Sequence, residues 1–332
     1  MINSSVILVF FYFVCLVLCC FADPGVLFQF PEDFCDEVST HVCSSLQCII
    51  FTDVMSYWND TVQHFTFVLT DLEGCQRFGF CRLTNSTQTC LCMLSYLPWF
   101  EVFYKLLNNL ADYLTKGQVS FCMLSVCVSP GLSHPLIQCC FRLSPQVPYF
   151  IAPDPRSLPS IPESRNLTEL IVAVDMSNLL QIYASMLFER RILIFASKLS
   201  TLTACVHALS AVIYPMYWQH IFIPILPPHL LDYCCAPMPY LIGVHSSLSE
   251  VESRGLEEVV ILNVDTNTLE TTFDDLKRIP SDVMSGLKVR LKRQAVSPGC
   301  GVAKAFLRAQ ALLFGGYRDA VQGDKVSNKS SK

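Results

Sequence analysis

The side chains that could carry out chemistry in this 332-residue chain form none of the common catalytic patterns. The sequence contains no G-x-x-x-x-G-K-[ST] phosphate loop, no G-x-S-x-G nucleophile turn, no H-E-x-x-H zinc motif and no G-x-G-x-x-G dinucleotide loop. His207 lies among apolar residues of a predicted helix, which favours a core or surface histidine over a general base or a ligand. Asp274 and Asp275 are predicted to be turn or helix-capping residues. The pattern therefore identifies no catalytic residue and predicts no cofactor.

The chain has 18 cysteines, and most of them lie in its first half. Cys90 and Cys92 lie on one face of a predicted strand, but no C-x-x-C pair occurs, so a metal site has little support. Disulfide frameworks are typical of small secreted domains, and a chain of this length does not need one. We therefore predict reduced, mostly buried thiols.

Basic residues are concentrated on one predicted helix near the end of the chain, at Lys288, Arg290, Lys292 and Arg293. They could form a solvated helix face, or they could contact an anionic phosphoinositide membrane surface. The net charge of -5 argues against binding to nucleic acid, because neutralising phosphates requires a surplus of Lys and Arg.

Residues 1–22 form an apolar leader without a charged side chain. The run at 6–22 has the length of a signal-peptide core and is near the lower limit for a membrane-spanning helix. It could also be a buried strand or helix of the core, or a segment that is not native to the fold. Composition does not choose between these interpretations, although the chain as a whole is 52% hydrophobic and only 15% charged.

The order of predicted elements indicates a mixed α/β protein with two lobes. Residues 64–70, 76–83 and 89–97 have the composition of a three-stranded antiparallel meander, and an amphipathic helix runs from Pro98 to Gly117. From Asn166 onward, helices alternate with short apolar strands, which is typical of a doubly wound, mostly parallel sheet. One of these helices, at 199–214, is predicted to be capped by Ser200 or Thr201.

Several strings in both halves resemble DENN domains, and the resemblance is closest to the connecdenn group, the DENN domain-containing protein 1 family. In the second half these are residues 183–194 (YASMLFERRILI), 214–220 (YPMYWQH) and 227–243 (PPHLLDYCCAPMPYLIG). In the first half, 77–82 (RFGFCR) and 94–105 (LSYLPWFEVFYK) resemble the upstream, longin-like module.

The resemblance implies a particular division of the chain. After the leader at 1–22, we expect an upstream longin-like module at 23–117, a divergent linker at 118–165 and a central module at 166–298. Residues 299–332 resemble only the start of the downstream helical module. Residues 38–61 and 119–147 lack the resemblance, so the chain is expected to be an interrupted and truncated member of the family.

The resemblance also implies a function, namely guanine-nucleotide exchange on a Rab GTPase of endocytic recycling. Such a protein makes no covalent bond and needs neither a small-molecule substrate nor a metal. It would be cytoplasmic and peripheral on endocytic or clathrin-coated vesicles. The alternative is an exchange-deficient binding module of the same fold, tethered to a membrane through residues 6–22.

The family holds the GTPase between its two lobes, so the resemblance points to surface residues of the central module as the contacts. The candidates are Tyr217, Trp218, Gln219, His220, His229, Asp232 and Tyr233. Core packing is the competing interpretation for the aromatic members of this set. Asp232 has a second interpretation as the cap of a short helix.

Overall fold

The computed structural model describes two lobes, each built on a β-sheet. Side chains are described for residues 62–70, 74–84, 90–112, 114–115, 165–248, 256–293 and 301–317. Only the backbone is described for residues 89, 113 and 294–296 and for five strands, Tyr12–Val17 (β1), Gly25–Phe30 (β2), Ser125–Ser129 (β6), Leu136–Cys140 (β7) and Tyr149–Ile151 (β8).

The first lobe contains the expected antiparallel meander. Its strands are β3 (Gln63–Thr70), β4 (Gln76–Thr84) and β5 (Thr89–Ser95), paired in sequence order. Gly74, just before β4, has a φ of 85°, a backbone conformation that favours glycine. Helix α1 (Phe100–Thr115) covers this sheet, as its apolar spacing predicts.

Two further strands extend this sheet to five, in the order β2-β1-β5-β4-β3. Strand β1 pairs with β5 on one side and with β2 on the other, both antiparallel. The backbone of Tyr12–Val17, inside the apolar leader, is therefore a central strand of the first lobe. Of the three interpretations of the leader, this pairing corresponds to the core strand.

The second lobe is built on a mixed sheet with the order β10-β11-β9-β12-β13. The strands are β9 (Arg191–Ala196), β10 (Ile221–Ile223), β11 (Tyr240–His245), β12 (Val259–Asn263) and β13 (Thr268–Glu270). The first four run parallel and β13 is antiparallel. The alternation of helices with short apolar strands thus correctly predicts an α/β lobe.

Six α-helices and one 3-10 helix belong to the described part of the second lobe. They are α2 (Arg165–Ala173), α3 (Met176–Leu187), α4 (Leu199–Val212), the 3-10 helix η1 (Pro228–Cys235), α5 (Asp275–Arg278), α6 (Ser281–Val296) and α7 (Val302–Phe314). The predicted cap of α4 is wrong. Lys198 occupies the N-cap position and no side-chain cap bond forms, because Ser200 and Thr201 already lie inside the helix.

Alternate residues of β9 separate the core of the second lobe into two layers. Ile192 and Ile194 pack in the larger cluster with the α-helices, whereas Leu193 and Phe195 pack in a smaller cluster with η1 and connecting segments. Successive strand residues point to opposite faces, so an uninterrupted apolar strand is what a sheet buried on both faces requires.

Asp275 has a different role from the turn or cap that the sequence suggested. Asp274 occupies the N-cap position of α5, whereas Asp275 is 1% exposed and pairs with Arg190. Local sequence could not show this because the two partners are 85 residues apart.

No single helix within the described ranges has both the length and the apolar character to span a bilayer. Helices α2 and α3 meet these criteria only as a pair, and they are bent by 120° at their junction.

The three-stranded sheet β6-β7-β8 lies in the stretch that the sequence left without assigned structure.

Candidate functional site

The two lobes meet where strand β3 packs against helix α4. The amide of Thr66 donates a hydrogen bond to Oγ1 of Thr203 at 3.4 Å. The carbonyl of Thr66 accepts one from Nε2 of His207, also at 3.4 Å. The edge of the first sheet is therefore joined to the second lobe through polar as well as apolar contacts.

His207 is a buried residue of this junction, which of the two predicted positions, core or surface, corresponds to the core. Its ring packs edge-on against Phe100 of the first lobe and Phe222 of the second, with centroid distances of 4.8 and 5.4 Å. Burial lowers the pKa of His207 from 6.5 to about 4, although the bond to Thr66 acts in the opposite direction. The histidine is therefore neutral at physiological pH and packs between the lobes.

Beside this junction lies a groove of about 690 Å³. One wall is the end of β3 and the start of β4, and the other is the segment from Trp218 to Tyr233. Its lining residues are Phe67, Val68, Leu69, Thr70, Gly74, Gln76, Trp218, Gln219, His220, Ile221, Phe222, Ile223, Ile225, Pro227, Leu230 and Tyr233. The lining contains no Asp, Glu, Lys or Arg, which makes it suited to apolar and neutral polar groups.

The groove brings together four of the seven residues that the resemblance suggested. Trp218, Gln219, His220 and Tyr233 line it. Tyr217, His229 and Asp232 are exposed but do not belong to its lining. Asp232 lies inside η1 rather than at its cap position, which Pro227 occupies, so the capping interpretation is wrong.

The wall residues are held by specific contacts. Nε1 of Trp218 donates to the carbonyl of Ile221 at 3.0 Å, and its ring meets that of His220 edge-on at 5.3 Å. Nε2 of His220 lies 3.3 Å from Oε2 of Glu189, which gives an ion pair when the histidine is protonated. The buried Tyr240 hydroxyl donates to the Cys234 carbonyl at 2.9 Å, which fixes η1 against β11.

Exposed apolar side chains lie close in sequence to this wall. Tyr217 is 71% exposed and Tyr233 is 46% exposed, while Met216 and Met238 are also exposed. Tyr and Trp are enriched among the residues that dominate binding energy at protein interfaces. Core packing is therefore not the role of these tyrosines.

The residues of β3 and β4 that form the first wall were not found from the sequence. Phe67 to Thr70 were assigned correctly to a strand, but the strand alone does not show which element it faces. The same holds for Ile221 to Ile223, the part of the strand predicted at 221–226 that is a strand in the structure. The signal that could have found them is the β-rich, uncharged composition of both segments.

The predicted basic residues lie on α6, which does not contribute to the groove. Lys288, Lys292 and Arg293 are exposed. Arg290 is partly buried, and its Nη1 donates to the Gly286 carbonyl at 3.0 Å. Among the described side chains none of the four has an ion-pair partner.

A second polar group lies at the carboxyl ends of β9, β11 and β12, where open α/β sheets commonly bind ligands. The Asp265 carboxylate accepts bonds from the Ser197 amide at 2.7 Å and from the Ser246 hydroxyl at 3.0 Å. His245 Nε2 donates to the Ser197 carbonyl at 2.8 Å. These groups satisfy one another and connect the strand ends.

The described cysteines have free thiols, as predicted from composition. Cys81, Cys90, Cys92, Cys205 and Cys234 are buried, and Cys75 and Cys235 are exposed. No cluster of three or more His, Cys, Asp or Glu suited to a metal ion occurs within the ranges for which side chains are described.

Known proteins resemble this chain over most of its length. The uDENN domain model matches residues 24–84, and the model of the DENN (AEX-3) domain matches residues 86–267. Human DENN domain-containing protein 1B is 57% identical over 320 residues, which are 90% of this chain and 41% of the relative. Mouse DENN domain-containing protein 1A is 57% identical over 302 residues, covering 91% of this chain and 30% of the relative.

A more distant relative, mouse DENN domain-containing protein 2A, is 35% identical over 215 residues, 61% of this chain and 21% of that protein. The chain thus spans less than half the length of the relatives it matches. The DENN model covers more than half of the chain, and the longin-like sheet and the α/β sheet follow each other in the order of the two models. The chain therefore belongs to the DENN (AEX-3) domain family.

Proposed function

We propose that this chain is a guanine-nucleotide exchange factor for a Rab GTPase of endocytic recycling, with the GTPase bound between the two lobes. The observation that carries the proposal is the uncharged groove between β3 and the Trp218–Tyr233 segment, flanked by exposed tyrosines. Membership of the DENN family supports the assignment of the partner class.

Exchange of this kind requires no covalent step. A surface that binds the switch regions more tightly when the nucleotide is absent lowers the affinity of the GTPase for GDP by the same factor, because binding free energies are reciprocal. GDP release is accelerated only by the difference between the affinity of this surface for the nucleotide-free GTPase and its affinity for the GDP-bound GTPase. A preformed groove with few charges is suited to this task.

Each candidate residue has a distinct role in the proposal. Tyr217 and Tyr233 are the apolar anchors, since both are exposed and have large side chains. Trp218, Gln219 and His220 form the wall of the groove. His229 and Asp232 are exposed on the same segment outside the lining and would supply polar contacts there. The basic face of α6 would contact an anionic phosphoinositide surface while the GTPase is bound elsewhere.

The proposal is tested by the rate at which purified chain releases a fluorescent GDP analogue from a panel of Rab GTPases. We expect acceleration with at least one endocytic Rab and at least a tenfold loss of that acceleration in Tyr217→Ala. Tyr96→Ala is the matched control, because Tyr96 is 53% exposed in the first lobe and does not line the groove. Failure to accelerate release from any Rab, together with failure to bind any nucleotide-free Rab, would contradict the proposal.

The alternative of an exchange-deficient binding module gives a different result in the same assay. Nucleotide-free Rab would then be retained by the chain, and Tyr217→Ala would weaken retention, while GDP release would stay at its spontaneous rate.

A further inference from the structure

Strand β3 has one edge that no other described strand of its sheet pairs with, because it is last in the order of those strands. The Thr66 amide points away from β4, since it donates to Thr203 on α4. In an antiparallel pair the backbone groups of successive residues point to opposite sides of the strand, and those of every second residue point to the same side. The backbone groups of Val68 and Thr70 therefore point the same way as those of Thr66, toward the outer edge.

Helix α4 packs against β3, and the hydrogen bonds that it makes to this edge are both at Thr66. Val68 and Thr70 line the groove, and within the described residues their outward amides and carbonyls have no hydrogen-bond partner. A strand edge with free amides and carbonyls is a template for an incoming extended segment, which adds to the sheet through main-chain hydrogen bonds. The groove thus offers main-chain donors and acceptors at two positions, Val68 and Thr70, beside an apolar wall.

The character of the lining restricts what can enter. The groove has no Asp, Glu, Lys or Arg in its lining, and His220 already faces Glu189. A charged side chain brought into it would lose hydration without gaining a partner, which is costly. An extended segment with uncharged, largely apolar side chains can pair with the edge of β3 and does not suffer this loss of hydration.

We infer that the Rab GTPase enters this groove with an extended, uncharged segment that pairs as an added strand with β3 at Val68 and Thr70. The inference rests on the proposed function and specifies how the partner is held. Main-chain pairing at two positions fixes the register of the partner, while Trp218 and Tyr233 contact its side chains across the groove.

The test removes the outward amide of Val68 and leaves the hydrogen bonds between β3 and β4 in place. Val68→Pro deletes one edge donor, and proline is tolerated at edge positions whose amide does not pair. Val68→Thr keeps both the amide and the β-branched shape. We expect the Kd for nucleotide-free Rab to rise at least tenfold more in the proline variant than in the threonine variant. Equal affinities of the two variants would overturn the strand pairing.

A second measurement on the unmodified chain does not depend on the folding of the proline variant. Residue-resolved amide hydrogen exchange should slow at least tenfold at Val68 and Thr70 when nucleotide-free Rab is added. The Leu69 amide, which already points to β4, serves as the internal reference. If a complex forms and the exchange rates at Val68 and Thr70 do not change, the strand pairing is overturned and the proposed function is not. If no complex forms with any Rab, the proposed function itself is overturned.

Discussion

Arg190 and Asp275 form a two-pronged ion pair that joins the turn between helix α3 and strand β9 to helix α5. Nη2 of Arg190 lies 2.7 Å from Oδ1 of Asp275, and its Nε lies 3.0 Å from Oδ2. The guanidinium also stacks over the ring of Phe273 at 3.8 Å. The hydrogen bond to Asp275 raises the pKa of Arg190, so the guanidinium stays charged throughout the physiological range.

Replacing Asp275 with alanine should lower the free energy of unfolding by about 3 kcal/mol, since it leaves a partly buried guanidinium without its carboxylate. The neighbouring Asp274 pairs with Lys277 at 2.8 Å, but its side chain is 77% exposed. Asp274→Ala is therefore a matched control that should change stability by less than about 0.5 kcal/mol. Urea denaturation of the three proteins measures both values, and equal losses in the two variants would refute a structural role for the buried pair.

His207 should make the stability of the chain depend on pH. Its pKa is lowered to about 4 in the folded state, so between pH 6.5 and 4 the unfolded chain binds more protons. The stability contributed by neutral His207 is complete above pH 6.5 and is lost as the pH falls toward 4. The expected loss at pH 5 is about 2 kcal/mol by linkage.

The measurement compares the parent chain with His207→Gln at pH 7.5 and pH 5.0. The difference in unfolding free energy between the two pH values should be about 2 kcal/mol smaller in the variant. His64 and His245 also have lowered pKa values, mainly through burial, but they are present in both proteins and their effect cancels. An identical pH dependence in the two proteins would show that His207 does not titrate on unfolding.

Gly243 in strand β11 should not tolerate a side chain. A Cβ at this position would overlap the carbonyl oxygen of Pro224, and the Gly243 carbonyl accepts a bond from the Leu226 amide at 2.7 Å. Because the overlap is with backbone rather than with a flexible side chain, Gly243→Ala should cost about 1–3 kcal/mol. Gly316→Ala is the control, since nothing lies within 4 Å of its Cβ position. Thermal unfolding of both variants tests the difference.

The thiols should differ sharply in reactivity with iodoacetamide. Burial raises the pKa of Cys205 to about 12. Burial is also the main cause that raises the pKa of Cys81, and the hydrogen bonds with Cys90 and Cys92 raise it further. Because the thiolate is the nucleophile, these cysteines should stay unlabelled in the folded chain, while the exposed Cys75 and Cys235 react. Peptide mass spectrometry after brief labelling gives the pattern. Equal labelling of Cys81 and Cys235 without denaturant would contradict the burial of the first.

The elements of both sheets could be predicted from local sequence because periodicity is a short-range property. The alternation in β3 and β4 and the uninterrupted apolar run of β9 were each sufficient to assign a strand. The boundaries shifted by a few residues, as at β10, which ends at Ile223 rather than at Leu226. The strand at Tyr12–Val17 was only one of three interpretations, because an apolar run without polar interruption has no period.

By itself, the sequence determined the α/β class, the family resemblance, the free thiols of the described cysteines and the segment that carries Trp218 to Tyr233. Only the tertiary structure decided that β3 faces this segment across an uncharged groove, that His207 packs between the lobes and that Asp275 pairs with Arg190. Each of these relationships joins residues more than 80 positions apart. Local propensity does not encode such contacts, because they depend on which faces and edges the packed lobes bring together.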